Sequence, residues 1–447
     1  MIAPLTGVRL VAAIWVVLFH VYLVNGDRLG AEHPVVDALV GPVASQGDLG
    51  VDLFFLLSGF VLAHNYLARL GTRPALPEVA SFLWLRLSRI WPLYMVAILG
   101  GGLLLWLRLQ WWGTAPNVPL SPRRLVEQVV MVQQWSAPNV PNTSWTGPAW
   151  SISAEWLAYL AFPALAVVVW QVCRRVGRAG SATLAVLVLV PTLVWTTVTQ
   201  TQAAPYMWLG RLASEFTCGM LLSAALPAGP LRSRRSSSWL APVALAAIGG
   251  WLYLVALVDR PWLGPLVLVL FPPLVLGLAL GQGRLHRCLS SRPMVVGGGA
   301  SFALYLVHVP LLKLFRDAVA HGVVPIDPGH QLYGELVVVL GSVGLAYLLF
   351  RHVEEPVRQR LRAWEPGSAA RAETRLRQDS NLRHLVPETS ALSPELRRPS
   401  PEIGPGRDGE DYRSILVRRK PTPPIPLAGD SRPALRRPRR HPLRTRR

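Results

Sequence analysis

The apolar residues of this chain fall in repeated blocks, and this feature constrains the fold more than any other. The blocks are roughly 18 to 24 residues long, the length at which a helix crosses the hydrocarbon core of a bilayer. The composition agrees, with 51% hydrophobic and only 16% charged residues, whereas a soluble domain carries about 25% charge. The seventeen tryptophans fit as well, because indole favours the membrane–water interface. The sequence therefore predicts an all-α, polytopic membrane protein.

Ten spanning segments are predicted, and together they form a single helical bundle within a transmembrane domain of residues 1–362. The segments cover residues 7–24, 47–68, 92–109, 148–170, 180–199, 208–226, 238–258, 262–280, 294–315 and 331–350. The long connection 110–147 is rich in Pro, Asn and Trp, and it is predicted to hold a short amphipathic helix near residues 123–134.

Positive charge is distributed unevenly over the loops between these segments. With the N-terminus placed in the cytoplasm, most loop arginines fall on the cytoplasmic side, as the positive-inside rule requires. They are Arg69, Arg73, Arg86, Arg89, Arg174, Arg175, Arg178, Arg232, Arg234, Arg235, Arg284, Arg287 and Arg292. The expected location is thus the cell membrane, multi-pass, with both termini cytoplasmic. The net charge of +20 has this origin, and no nucleic-acid partner is expected.

The composition changes abruptly near residue 363. Pro, Arg, Ser and Glu dominate from there to residue 447, and no periodic apolar pattern occurs. Such a segment cannot bury a core, so residues 363–447 are predicted to form a disordered, basic cytoplasmic tail. Two roles of this tail remain open: its arginines could attract anionic lipid on the inner leaflet, or the tail could be solvated and have no specific role.

Ionisable residues inside membrane helices are costly and by default mark a functional site. His20, Asp52, Glu155, Glu215 and His308 are predicted to lie in the outer half of their spans. Arg9, Arg86 and Arg89 mark the inner boundary. The spacing of Arg9 and His20 is eleven residues, which returns both to one face of a helix about 16 Å apart. This polarity predicts a two-sided site, with cations for an anionic donor and an acid–base group for an acceptor.

Each of these residues also has a structural interpretation. Arg9 could extend its side chain to the lipid headgroups, and Arg86 and Arg89 could be ordinary positive-inside charges. Glu215 follows Arg211 by four residues, which favours an ion pair between them. Ser301, Tyr305 and His308 share one helix face, either as a polar stripe along a cavity or as a packing seam. Cys173, Cys218 and Cys288 show no metal-ligand spacing, so no metal site is predicted.

An ordered series of motifs resembles the acyltransferase-3 family of integral membrane O-acyltransferases. The series runs from Arg9 and His20 through "GVDLFFLLSGF", "RLSRIWPLY", "TGPAWSISAEWLAYLAFP", "GRLASEFTCGMLL" and "GASFALYLVHVPLL" to "VEEPVRQRL". It covers about residues 3 to 362, and the order of the motifs carries more weight than any one of them. A fused SGNH domain is not expected, because the tail is too short and too polar to hold one.

The resemblance implies roles for individual residues. His20 matches the essential histidine of the family's first helix, and Arg9 its paired arginine. Arg86 and Arg89, with Tyr94 behind them, match an arginine motif expected to bind the donor, an acyl-CoA such as acetyl-CoA. Glu155 matches a glutamate of the fourth span. The residues expected to contact the acceptor are Trp150, Ser153, Tyr305 and His308.

The expected reaction is O-acyl transfer, in particular O-acetylation, to a hydroxyl of an extracytoplasmic or membrane-associated glycan or metabolite. His20 would act as the general base, with Asp52 or Glu155 orienting its imidazole. Direct transfer and a covalent acyl-histidine both remain open, and no bound cofactor is expected. The alternative is a proton-coupled transporter that uses the same histidine and carboxylates as a relay, although the two halves show no evident inverted repeat.

Overall fold

The computed structural model describes residues 2–72, 74–140, 142–226 and 235–364. All regular secondary structure within these ranges is helical, which confirms the all-α prediction. Residues 365–447 lie outside the described part, and with them nearly all of the predicted disordered tail. Arg73, Arg232 and Arg234, which contributed to the predicted orientation, also lie outside it.

Fourteen α-helices occur in the described ranges. They are α1 (Ala3–Glu32), α2 (Pro34–Ala44), α3 (Leu49–Leu70), α4 (Leu76–Trp112), α5 (Pro122–Val129), α6 (Trp150–Leu187), α7 (Val190–Thr199), α8 (Met207–Ala224), α9 (Leu240–Leu257), α10 (Phe271–Leu280), α11 (Arg284–Leu289), α12 (Arg292–Ala320), α13 (Gln331–Leu349) and α14 (Glu355–Ala363). A 3₁₀ segment, Pro261–Leu270, precedes α10, and a π-helical turn, Phe350–Glu354, joins α13 to α14.

Eight helical stretches of the described chain are long and apolar enough to cross a membrane. The stretch Trp150–Thr199 spans 50 residues and contains two of the ten predicted segments. It is broken at Gly177, whose φ of 69° and ψ of −172° suit glycine alone. The predicted segment 208–226 corresponds to α8, which carries Arg211 and Glu215 and is not among the eight. All ten predicted segments are therefore helical. Eight stretches rather than ten are found because two predicted segments belong to one stretch and because α8 is not among the eight.

The centre of the bundle is formed by α1, α3, α8 and α12, which pack at very short range. A Cβ atom built on Gly59 of α3 would lie 2.0 Å from the carbonyl oxygen of Phe216 in α8. Likewise, a Cβ on Gly298 of α12 would lie 1.9 Å from the carbonyl oxygen of Thr6 in α1. Small residues allow membrane helices to approach in this way. This close packing brings together the four helices that carry most of the ionisable residues.

The connection between α4 and α6 folds as a packed cap. Its short helix α5 starts at Pro122, where the Ser121 side chain accepts a hydrogen bond from the Arg124 amide. The helix ends at Val129, so it is shorter than the amphipathic helix predicted near 123–134. Three glutamines of the cap, Gln128, Gln133 and Gln134, are at most 1% exposed. They bond to neighbouring backbone and side-chain groups, which explains how so polar a connection can be buried.

Candidate active site

Two cavities in the described part of the bundle contain the predicted site residues, and each is named after its charged or titratable residues. The arginine cavity is lined by Arg9, Arg86, Arg89, Ser58, Glu155 and Tyr159, among others. The histidine cavity is lined by His20, Asp48, Trp150, Trp208, Arg211 and Asn139, among others. Counting the space at their mouths, they enclose about 890 Å³ and 1230 Å³. Helix α1 contributes to both, through Arg9 and His20.

The three guanidinium groups of the arginine cavity retain hydrogen-bonding capacity. The Nε atoms of Arg9 and Arg86 are buried and have no hydrogen-bond partner among the described residues. Arg86 donates from Nη2 to the Tyr66 hydroxyl over 3.3 Å, and its guanidinium lies over the Tyr66 ring. Arg89 makes no hydrogen bond or ion pair with the described part of the chain. Since buried donors are normally satisfied, the cavity is suited to an anionic ligand.

Glu155 faces the arginine cavity rather than His20. Its Oε1 accepts hydrogen bonds from the Ser58 hydroxyl at 2.6 Å and the Tyr159 hydroxyl at 2.5 Å. The sequence hypothesis placed Glu155 beside His20, in the outer half of the membrane. The structure instead places this carboxylate in the arginine cavity, where its charge acts on Arg9. Glu155 does not orient the His20 imidazole.

The partner of His20 is His308, the second buried histidine. His308 Nδ1 lies 3.0 Å from the Leu304 carbonyl oxygen, which can only accept, so this nitrogen carries the proton of the neutral ring. Its Nε2, 3.3 Å from His20 Nδ1, is then the acceptor. His20 Nδ1 must donate, a conclusion that the Val16 carbonyl oxygen at 2.9 Å supports. The His20 Nε2 atom is left unprotonated, on a side chain that lines the histidine cavity.

The backbone of His20 is also held in place by a buried polar cluster. Arg316 donates from Nη2 to the His20 carbonyl oxygen over 3.0 Å. The same guanidinium forms a two-pronged ion pair with Glu335, with both distances 2.8 Å. Asn25 donates to Glu335 as well, over 2.9 Å. Because these residues lie on α1, α12 and α13, the cluster fixes the first helix at the histidine.

Asp52 is engaged in a buried ion pair with Arg211. The Arg211 Nε and Nη2 atoms donate to the two oxygens of Asp52 over 2.7 and 2.5 Å, and Asp52 is fully buried. A second carboxylate, that of Asp48, lies 3.6 Å from the same guanidinium. The expected pair between Arg211 and Glu215 is therefore wrong, because α3 supplies the partners. The Glu215 carboxylate oxygens have no hydrogen-bond partner in the described residues.

The remaining predicted site residues divide into two groups. Trp150 lines the histidine cavity and Tyr305 lines both cavities, as their predicted contact with the acceptor requires. Tyr94 and Ser153 instead anchor the cap. The Tyr94 hydroxyl donates to the Gln128 carbonyl oxygen, and the Ser153 hydroxyl donates to the Met131 carbonyl oxygen. Both are fully buried, and neither borders a cavity.

Several residues of the site were missed by the sequence analysis. Tyr159 stands four positions after Glu155, a spacing that places the two on one helix face and could have signalled their hydrogen bond. Ser58 lies within the motif "LLSGF" but carries no charge to single it out. Arg316 falls one position beyond the predicted segment 294–315, whereas α12 continues to Ala320. Glu335 lies within the predicted segment 331–350, where its carboxylate was itself a signal.

Comparison with known proteins gives a consistent result. The family model described as "Acyltransferase domain" matches residues 2–351. The chain is 28% identical to the acyltransferase MdmB of Streptomyces mycarofaciens over 328 residues, 69% of this chain and 78% of the relative. It is 22% identical to the O-acetyltransferase OatA of Staphylococcus aureus over 378 residues, 80% of this chain but only 57% of that relative. No solved structure matches.

Proposed function

This chain belongs to the acyltransferase-3 family of integral membrane acyltransferases, and we propose that it moves an acyl group from an acyl-CoA in the arginine cavity to an acceptor hydroxyl in the histidine cavity. The observation that carries this proposal is the arrangement on α1. One helix presents Arg9 to the first cavity and His20 to the second, about 16 Å apart along its axis. An extended pantetheine arm suits such a distance.

The donor is assigned to the arginine cavity because of its charge. Coenzyme A carries phosphate groups, and guanidinium groups pair with phosphate through their planar fork. Arg9, Arg86 and Arg89 supply three guanidinium groups, and the Nε atoms of Arg9 and Arg86 are hydrogen-bond donors without a partner among the described residues. Acetyl-CoA is the proposed donor, in keeping with the name of the relative OatA, an O-acetyltransferase.

His20 is assigned as the general base of the transfer. Its unprotonated Nε2 takes the proton of the acceptor hydroxyl as the oxygen attacks the thioester carbonyl carbon. The new C–O bond forms, the C–S bond breaks, and the thiolate of coenzyme A receives the proton from the imidazolium. His308 would stabilise the required tautomer of His20, as the third member does in hydrolase triads.

The acceptor is proposed to be a hydroxyl-bearing glycan or metabolite. The histidine cavity combines the aromatic faces of Trp150 and Trp208 with polar groups from Asp48, Asn139 and Gln202. Apolar walls with a few placed polar groups are typical of small-molecule sites, and aromatic rings pack well against sugar faces.

Replacing Arg89 by alanine is expected to weaken acyl-CoA binding about ten- to a hundredfold, because a charge-assisted contact contributes about 1.5–3 kcal/mol. Arg86→Ala should behave similarly, and lysine at either position should restore affinity only in part. Calorimetric titration of the purified protein with acetyl-CoA measures the effect.

The matched control for these variants is Arg69→Ala. Arg69 is an exposed arginine paired with Glu78 and lines neither cavity. Its replacement should leave donor affinity as in the wild type. Unchanged affinity in both Arg86→Ala and Arg89→Ala would assign these two arginines to ordinary interfacial charge.

The proposed orientation places the arginine cavity toward the cytoplasm and the cap outside. After Cys173, Cys218 and Cys288 are replaced by serine, a cysteine at the exposed Arg123 should react with an impermeant maleimide added to intact cells. A cysteine at Ser236 should react only after the cells are opened. The reverse labelling pattern would contradict the two-sided mechanism.

The activity itself is tested by mass spectrometry of surface glycans and secreted metabolites from the native cell. Deleting the gene should remove an acetyl group from at least one product, and the wild-type gene should restore it. The His20→Ala gene, expressed at the same level, should not. An acetylation pattern that is identical in all three strains contradicts the proposal, and uptake by the purified protein without transfer would favour a transporter.

A further inference from the structure

The two cavities border on the same two side chains. Among the described residues, Val51 of α3 and Tyr305 of α12 line both the arginine cavity and the histidine cavity. Each is only 5% exposed. The aliphatic side chain of Val51 and the aromatic ring of Tyr305 therefore lie at the boundary between the two cavities.

A series of neighbouring side chains leads from Arg9 through Tyr305 to the histidine pair. The Arg9 guanidinium lies 5.8 Å from the Phe54 ring centre, and the Phe54 ring lies 6.3 Å from that of Tyr305. Tyr305 in turn lies 6.1 Å from the ring of His308, the partner of His20. Tyr305 therefore stands between the side chains near Arg9 and the histidine pair in this series of contacts.

The Tyr305 ring is held in this position by hydrogen bonds of its hydroxyl group. Its hydroxyl lies 2.7 Å from the Ser151 hydroxyl and donates to the Pro148 carbonyl oxygen over 3.0 Å. Ser151 lies in the first turn of α6 and Pro148 lies two residues before that helix, so the ring is bound to a neighbouring segment rather than to its own helix. These hydrogen bonds join neutral groups, so a rotation of the Tyr305 side chain can break them. The aliphatic side chain of Val51 forms no hydrogen bond.

We propose that Val51 and Tyr305 form a partition that the acyl group must cross, and that the space between them sets the length of the acyl chain transferred. This inference rests on the proposed function, because it concerns the donor of that same reaction. The bonds made and broken are those given above for the transfer to the acceptor oxygen. The partition selects which thioester carbonyl reaches His20 and takes no part in the chemistry.

Val51 offers the mildest way to change the partition. Val51→Ala removes two methyl groups and should widen the passage, whereas Val51→Leu adds one methylene and should narrow it. One methylene in an apolar pocket changes selectivity roughly 10–200-fold. Leu67→Ala is the matched control, because Leu67 lies on the same helix, is also 5% exposed and lines neither cavity.

The experiment compares acetyl-CoA with hexanoyl-CoA in membrane vesicles from the native cell that contain the full-length chain. Release of free coenzyme A thiol, corrected for the His20→Ala background, gives kcat/KM for each donor. Val51→Ala should raise the hexanoyl-to-acetyl ratio at least about tenfold over the wild type. Val51→Leu should lower it, and Leu67→Ala should leave it within about twofold.

Coenzyme A binding, measured by titration of each purified variant, checks that the variants are folded. A hexanoyl-to-acetyl ratio that stays at the wild-type value in both Val51 variants, with His20-dependent release and coenzyme A binding intact, overturns the partition alone. Absence of His20-dependent release in the wild type would instead overturn the proposed function. The two failures are therefore distinguishable.

Discussion

Replacing His20 by alanine is expected to lower acyl transfer by about 10²–10⁴-fold, the usual contribution of a general base. The protein should still insert and bind acetyl-CoA, because the arginine cavity does not include His20. The loss follows from the tautomer that His308 and Val16 impose, which leaves His20 Nε2 as the proton acceptor. Transfer is measured as label from radioactive acetyl-CoA that appears in glycans or metabolites of native-cell vesicles.

His20→Gln separates catalysis from packing. Glutamine retains hydrogen-bonding groups near Val16 and His308 but cannot take up a proton near neutral pH. It should therefore be as inactive as the alanine variant while remaining as stable as the wild type. Near-native transfer by His20→Gln would make His20 a structural residue, and it would leave Glu155 as the candidate base.

The second large effect is expected on stability and concerns Asp52. Asp52→Ala leaves the Arg211 guanidinium buried without its two-pronged partner, and breaking a buried ion pair in this way costs about 3–5 kcal/mol. Asp48, 3.6 Å from Arg211, remains as partial compensation, so a value near the lower end is expected. The measurement is the thermal midpoint and the folded yield of the detergent-solubilised protein.

The double variant Asp52→Ala/Arg211→Met provides the control, because it removes both charges. It should be more stable than Asp52→Ala alone, since no uncompensated guanidinium is left behind. A stable Asp52→Ala protein that binds acetyl-CoA but transfers nothing would instead support the catalytic role suggested for Asp52 by the sequence. We expect Asp52 to be a structural residue, because its carboxylate forms a buried ion pair with Arg211.

The spans were predictable because hydropathy and length depend on local sequence alone. A helix in lipid has to satisfy its own backbone and present apolar side chains, so each segment is recognisable without its neighbours. Even the break at Gly177 lies within a local cluster of arginines, Arg174, Arg175 and Arg178. The tight contact of α3 with α8 was not predictable, because it depends on which helices adjoin.

The site shows the same limit residue by residue. Sequence position singled out Glu155 and His20 as ionisable residues within helices, but it did not reveal that their side chains line different cavities. The partner of Arg211 comes from α3, more than 150 positions away, and the i, i+4 spacing favoured Glu215 instead. Tyr94 and Ser153 lie inside recognisable motifs, yet their hydroxyls anchor the cap, a role that only the packed structure reveals.

Transfer across the membrane is tested most directly with sealed, inside-out vesicles from the native cell, to which radioactive acetyl-CoA is added from outside. Coenzyme A esters do not cross a bilayer, so the label can reach acceptors within the vesicle only through the protein. Labelled glycan or metabolite is expected with the wild-type chain, and essentially none with His20→Ala or in right-side-out vesicles. Equal labelling with the wild type and His20→Ala, or labelling only in right-side-out vesicles, would contradict transfer from the arginine cavity to the histidine cavity.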